Sequence, residues 1–206
     1  MGLLGRLVGK LSEFTTSTEK PDGFNSPTRA PLKAATKKRK AGDLGGAIKE
    51  LEAVYKYMND HPKWYSSKNA CRLPLYLAEA KRNKEAWPLL NEILKKSDRC
   101  DYDYVLNQMC LFLQLAGQPL EAVKYGVMAH AALLCDLALL LPDGVKAYPS
   151  EMEKEEIEKL LEKAMRPELF DAIYAVAKKH YANTSKLDLA AISRDMNKAL
   201  RRNQSP

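Results

Sequence analysis

Catalysis and metal binding need particular side chains brought together, and the chain has four cysteines and three histidines to offer. Cys71, Cys100, Cys110 and Cys135 lie far apart, with no C-x-x-C pair. That spacing supplies neither a zinc module nor a redox dithiol. A free cysteine packs as a small hydrophobe, and this is the use expected here, in a reducing compartment such as the cytoplasm. His61, His130 and His180 are equally scattered. His61 precedes Pro62 and marks a helix exit, while His130 sits in a largely apolar stretch and is expected to pack. Asp101 and Asp103 flank Tyr102 like a carboxylate pair. At a helix start, however, acids gain from the backbone dipole without any ligand. The acids at 151, 153, 155, 156 and 158 read as a solvated face for the same reason.

No phosphate loop, dinucleotide fingerprint, nucleophile elbow or H-E-x-x-H is present. The glycine-rich stretch Gly42, Asp43, Leu44, Gly45 and Gly46 lies between two predicted helices and reads as a turn. No catalytic residue, metal, cofactor or small-molecule substrate is therefore expected. The work of this chain should be to bind other macromolecules.

The net charge of +7 is unevenly placed: residues 1–43 carry +5, residues 184–206 carry +3, and the body between them −1. A near-neutral body with basic ends disfavours a nucleic-acid surface, because counterion release needs many cations on one face. The densest run, Lys37, Lys38, Arg39 and Lys40, fills one helical turn, so one or two of the four should face any single partner.

The elements that must carry such a surface are helical throughout, with no alternating β pattern. In residues 1–14, Leu3, Leu4, Leu7, Val8, Leu11 and Phe14 recur at steps of one, three and four, predicting a short amphipathic helix with Arg6 and Lys10 off the stripe. Three readings stand for it: docking on the body of the chain or a partner, a frayed terminus, or lying on a membrane surface. Residues 15–30 are rich in Pro, Ser and Thr and read as a flexible linker. The longest apolar run, residues 127–141, is interrupted by His130 and Asp136 and is too short to span a bilayer. Between 31 and 141 one grammar repeats: a helix, a tight turn, then a helix with an alanine fixed after the turn. The alanines are Ala47, Ala86 and Ala122, separated by 39 and 36 residues, a helix-turn-helix repeat spacing. Pro74 should kink the first helix of the second unit.

With the turns at Gly42-Asp43 and Gly117, these alanines, and the residues after them (Leu51 and Val54, Leu90 and Ile93, Gly126 and Ala129), the chain resembles the tetratricopeptide repeat (TPR) family over about half its length. The stretch CRLPLYLAEAKRNKEAWPLLNEIL is also similar to segments of small bacterial repeat proteins. The resemblance implies about three degenerate, TPR-like helical pairs in an antiparallel hairpin array, whose first helices line a groove for a peptide or protein. Carried over by position, the groove includes Lys33, Thr36 and Lys40; Lys68, Cys71, Arg72, Leu75 and Glu79; and Tyr104, Asn107, Gln108 and Leu111. The family's clamp for a terminal carboxylate is missing, since Leu32, Thr36, Tyr104 and Gln108 stand at its Lys, Asn, Lys and Arg positions.

Residues 150–203 are predicted to form three helices that cap the all-α array, the first opened by a Ser150–Glu153 capping box. The expected function is a scaffold or adaptor whose partner is an acidic or amphipathic segment. Two alternatives stand beside it: a dedicated neutraliser or chaperone for one partner, as immunity proteins are, and a membrane-surface organiser acting through residues 1–14.

Overall fold

The computed structural model of the chain describes residues 26–138, 151–182 and 187–201. The predicted amphipathic segment 1–14, most of the predicted linker and Ser150 lie outside these residues. Within them the protein is all-α, with no strand. Helices α1 (Arg29–Lys40), α2 (Leu44–Asp60), the single turn α3 (Ser67–Ala70), α4 (Arg72–Glu79), α5 (Asn83–Lys96), α6 (Tyr102–Leu115), α7 (Pro119–Ala138), α8 (Glu151–Lys163), α9 (Phe170–Tyr181) and α10 (Leu189–Arg201) follow in order. The first helix begins at Arg29, inside the stretch read as linker, with Thr28 and Leu32 already buried.

Consecutive helices pair as hairpins: α1 with α2, α4 with α5, and α6 with α7. The first hairpin meets the second where α2 packs on α4, and the second meets the third where both α4 and α5 pack on α6. Their turns share one backbone solution. Gly42, Lys81 and Gly117 have φ of 82°, 62° and 72°, the left-handed residue that ends a helix. The residue after each donates its N–H back across the turn, Asp43 to Lys38, Arg82 to Leu77 and Gln118 to Leu113, at 2.8–2.9 Å. That bond satisfies a carbonyl the helix end leaves orphaned. Met165, with φ of 55°, and Arg166, donating to Leu161, repeat the motif between α8 and α9.

Five residues beyond each of the first three left-handed residues come Ala47, Ala86 and Ala122, all fully buried. Each donates its N–H to the residue that opens the second helix, Asp43, Arg82 and Gln118 respectively. A methyl is the largest group that adds no bulk where the first helix turns back, so small side chains recur there. The aliphatic residues that follow, Leu51 and Val54, and Leu90 and Ile93, are also buried. Between the second and third hairpins, Trp87 stacks on Phe112 at 5.5 Å and meets Tyr125 edge-on at 5.4 Å.

The kink expected from Pro74 appears as a break. The helix stops at Ala70, resumes at Arg72, and the Leu75 N–H reaches Cys71 O at a long 3.4 Å. Pro74 has no N–H for the Ala70 carbonyl, and its ring crowds that oxygen. Pro88 lies inside α5, which remains one continuous helix. Downstream, α8 and α9 pack on α7, and α10 folds back onto both α9 and α7. Asp188 caps α10 by accepting the Ala191 N–H at 2.9 Å, and Asp195 of α10 meets both Lys179 (2.6 Å) and His180 (3.0 Å) of α9. The buried side of α10, Ile192, Met196, Ala199 and Leu200, continues the core.

Candidate functional site

The left-handed residues give a common ruler for the first helix of each hairpin. Six residues before them stand Thr36, Leu75 and Leu111; two before them stand Lys40, Glu79 and Leu115. Positions thirteen before are Arg29, Lys68 and Tyr104. Contacts between neighbouring hairpins follow this register: Lys68 Nζ lies 5.8 Å from the centre of the Tyr104 ring, a cation–π approach across the α3–α6 contact.

Along this face, α1 is polar and α6 is apolar. Leu111 is 42% exposed and Leu115 53% exposed, one turn apart, and Leu75 is half-buried at the position equivalent to Leu111. Asn107, one turn before Leu111, is exposed, whereas Gln108 is buried. Lys33 and Lys40 project into solvent from α1, and Lys68 is exposed.

Two of the charged residues assigned to the groove are engaged in contacts between the first and second hairpins. Arg72 donates from one guanidinium nitrogen to Thr36 Oγ1 at 2.6 Å and to Leu32 O at 3.2 Å, tying α4 to α1. Glu79 accepts from Arg39 through both carboxylate oxygens, with a 2.8 Å bond to Nε, and the Arg39 guanidinium lies 4.9 Å from the Tyr76 ring. Arg72 and Glu79 thus clamp the first hairpin to the second. Charge reversal at Arg72 would disturb this junction as well as any binding. A recess of about 240 Å³ remains beside it, lined by Ser26, Thr28, Lys33, Thr36, Asn69 and Arg72 among others.

A larger open cleft of about 560 Å³ lies between α2, α4 and α5. Tyr55, Leu73, Leu77 and Leu89 form its floor, and Glu52, Lys56, Asn59, Asp60 and Glu85 its rim. Sequence reasoning missed this cleft because it joins α2, α4 and α5 across two units. Its rim charges are matched locally: Lys56 to Asp60 and Arg82 to Glu85, both at 2.6 Å.

Cys71, Cys110 and Cys135 are buried, and burial pushes the Cys71 thiol up to about 12, far from a reactive thiolate. Cys100 is exposed. His61 stacks on Tyr57 at 4.2 Å, and His130 approaches Tyr181 at 5.0 Å. Asp103 is held above the usual carboxylate range by burial, and then by the neighbouring Asp101. Among the described residues, no three His, Cys, Asp or Glu side chains converge to hold a metal ion, and no helix is long and apolar enough to cross a membrane.

No family model, curated protein or solved structure matches the chain.

Proposed function

We propose that the chain is a non-catalytic adaptor, built from TPR-like hairpins, that receives a segment of another protein across the first helices of its second and third hairpins. The reading is carried by Leu111 and Leu115. They are two large aliphatic side chains left in solvent one turn apart, on a helix whose other aliphatics are buried. Covering what remains exposed of each leucine would contribute about 1 kcal/mol. Leu75 extends this strip toward the first hairpin, and Lys68, Tyr104 and Asn107 supply polar contacts at its edge. The matching ligand is an amphipathic helix with two or three apolar anchors on one face and an acid near Lys68. Lys33 and Lys40 favour acids at the same end.

Selection from a displayed library of helical peptides tests this directly. Enriched peptides should be amphipathic and acidic, and should bind the parent chain at least tenfold more tightly than a Leu111→Asp, Leu115→Asp variant. Both positions are solvent-exposed, so the variant keeps its fold. Peptides that bind the variant equally well would remove the assignment.

A further inference from the structure

The recess beside the Arg72 junction gathers positive charge from two hairpins. Arg29 and Lys33 of α1 and Arg72 of α4 line it together with Asn69 of α3, and no carboxylate among the described residues does. Arg72 is held there by its own contacts. Thr36 Oγ1 donates to Leu32 O at 3.0 Å, and both oxygens accept from the same Arg72 nitrogen, Nη2. The Nε and Nη1 groups of that guanidinium, and the Asn69 side-chain amide, have no partner among the described residues. The start of α1 reaches the recess through Thr28 and Arg29. Its first turn contains no acid and Thr28 makes no side-chain cap, so the positive end of the helix backbone is uncompensated there. The acids that meet α1 do so at its other end, where Glu50 pairs with Lys38 and Glu79 with Arg39, and the adjacent Asp43 caps α2 through the Gly46 N–H.

We propose that this recess holds the phosphate of a phosphoserine or phosphothreonine in the segment that the groove receives. The inference rests on the groove reading and names the acid at its first-hairpin end. A carboxylate is satisfied by one arginine fork. Three cations around one recess exceed a single negative charge, and suit a group that carries about −1.5 to −2 at pH 7 and presents three acceptor oxygens. The Thr36 contact fixes the Arg72 guanidinium beforehand, so little side-chain freedom is lost on binding. Position supplies the link to the groove. Thr36, on the wall of the recess, stands in α1 where Leu75 and Leu111 stand in α4 and α6. A helix lying across Leu111 and Leu75 meets the recess next, and a phosphate at that point comes against Arg72 and Lys33. Single-stranded nucleic acid is disfavoured, because no aromatic ring lines the recess to stack a base. A flat bilayer would meet the exposed Lys33 but not the half-buried Arg72 between α1 and α4.

The test uses the full chain and the helical peptides enriched by the library selection, resynthesised with serine, glutamate or phosphoserine scanned along the end that meets α1. In one register phosphoserine should bind about tenfold or more tighter than either serine or glutamate. Inorganic phosphate should cancel that gain at constant ionic strength, and chloride should not. Arg29→Gln with Lys33→Gln should abolish the gain while leaving the serine peptide bound. Lys37→Gln with Lys49→Gln removes the same charge from exposed positions outside the recess and should preserve it. Arg72→Gln should also abolish it; because that residue ties α4 to α1, the α1 pair is the decisive variant, and unaltered helical circular dichroism checks its fold. Three results would overturn the proposal: glutamate binding as tightly as phosphoserine in every register, a phosphoserine gain that survives Arg29→Gln with Lys33→Gln, or displacement of the phosphopeptide by single-stranded RNA or phosphatidylglycerol vesicles at equal phosphate concentration. In the first two cases peptides that still depend on Leu111 and Leu115 leave the groove reading standing, whereas peptides indifferent to those leucines remove the groove itself.

Discussion

Among the described residues, two of the four left-handed turns are built on glycine and two are not. Gly42 and Gly117 reach a positive φ without penalty, whereas Lys81 and Met165 reach the same region while carrying a Cβ. All four close with the same pair of backbone bonds. The turn geometry is therefore imposed by the packing of the hairpins, and glycine only lowers its cost. Where the paired helices bury enough surface, a lysine or an exposed methionine is tolerated at about 1–2 kcal/mol of local strain.

Substitutions can break or sharpen this contrast. The largest effect is expected where packing holds the turn in place. Ala86→Leu forces a branched side chain into a fully buried position beside the Lys81 turn and should cost about 3 kcal/mol in chemical denaturation. Gly117→Val should cost about 2 kcal/mol, because a β-branched residue is poorly tolerated at φ 72°. Open space around the Gly117 position means that strain, not collision, accounts for the loss. Lys81→Gly should go the other way, gaining up to about 1 kcal/mol as relief of strain outweighs the added freedom of the unfolded chain. Met165→Gly should behave alike. If Lys81→Gly destabilises the protein, the packing account of the turns is wrong.

The smallest effect lies at the start of α6 and is recognised by its pH dependence. Asp103 has its pKa raised by burial above the ordinary 3.8. Below that value the folded and unfolded chains both hold the proton and there is no penalty. As the pH rises through 3.8 toward the folded pKa, the unfolded chain loses its proton first, so this group's contribution to stability falls and then levels off. Asp103→Asn should therefore be more stable than the parent at neutral pH, with the difference shrinking in acid, as read from urea midpoints across that range.

Local rules made much of the array legible. Ala47, Ala86 and Ala122 stood out because a fixed spacing after a turn leaves a periodic trace, and Gly42 and Gly117 because glycine is the usual left-handed residue. Lys81 carries no such mark; only its place five residues before Ala86 could have betrayed it. Pro74 announced a disturbance of its helix, but the site of the break, at Cys71, depends on which carbonyl its ring crowds. The uses of Arg72, Arg39 and Lys38 were hidden because their partners lie in other helices, up to 40 residues away in sequence. Spacing put Arg72 and Thr36 on one face, but it could not show the hydrogen bond between them. The exposure of Leu115 was equally hidden, since nothing in a run of leucines says which one the neighbouring hairpin leaves uncovered.

At the end of the second hairpin opposite Lys81, the buried Ser97 hydroxyl bonds to Ser67 Oγ at 2.9 Å and to Ile93 O at 2.7 Å. This hairpin is thereby fastened at both extremities, by backbone at one and by hydroxyls at the other. It should open to solvent as a unit, its amides exchanging deuterium together instead of fraying inward from a free tip. The interrupted middle section, with a proline and a missing donor, is suspended between two clasps and can flex there without the pair coming apart.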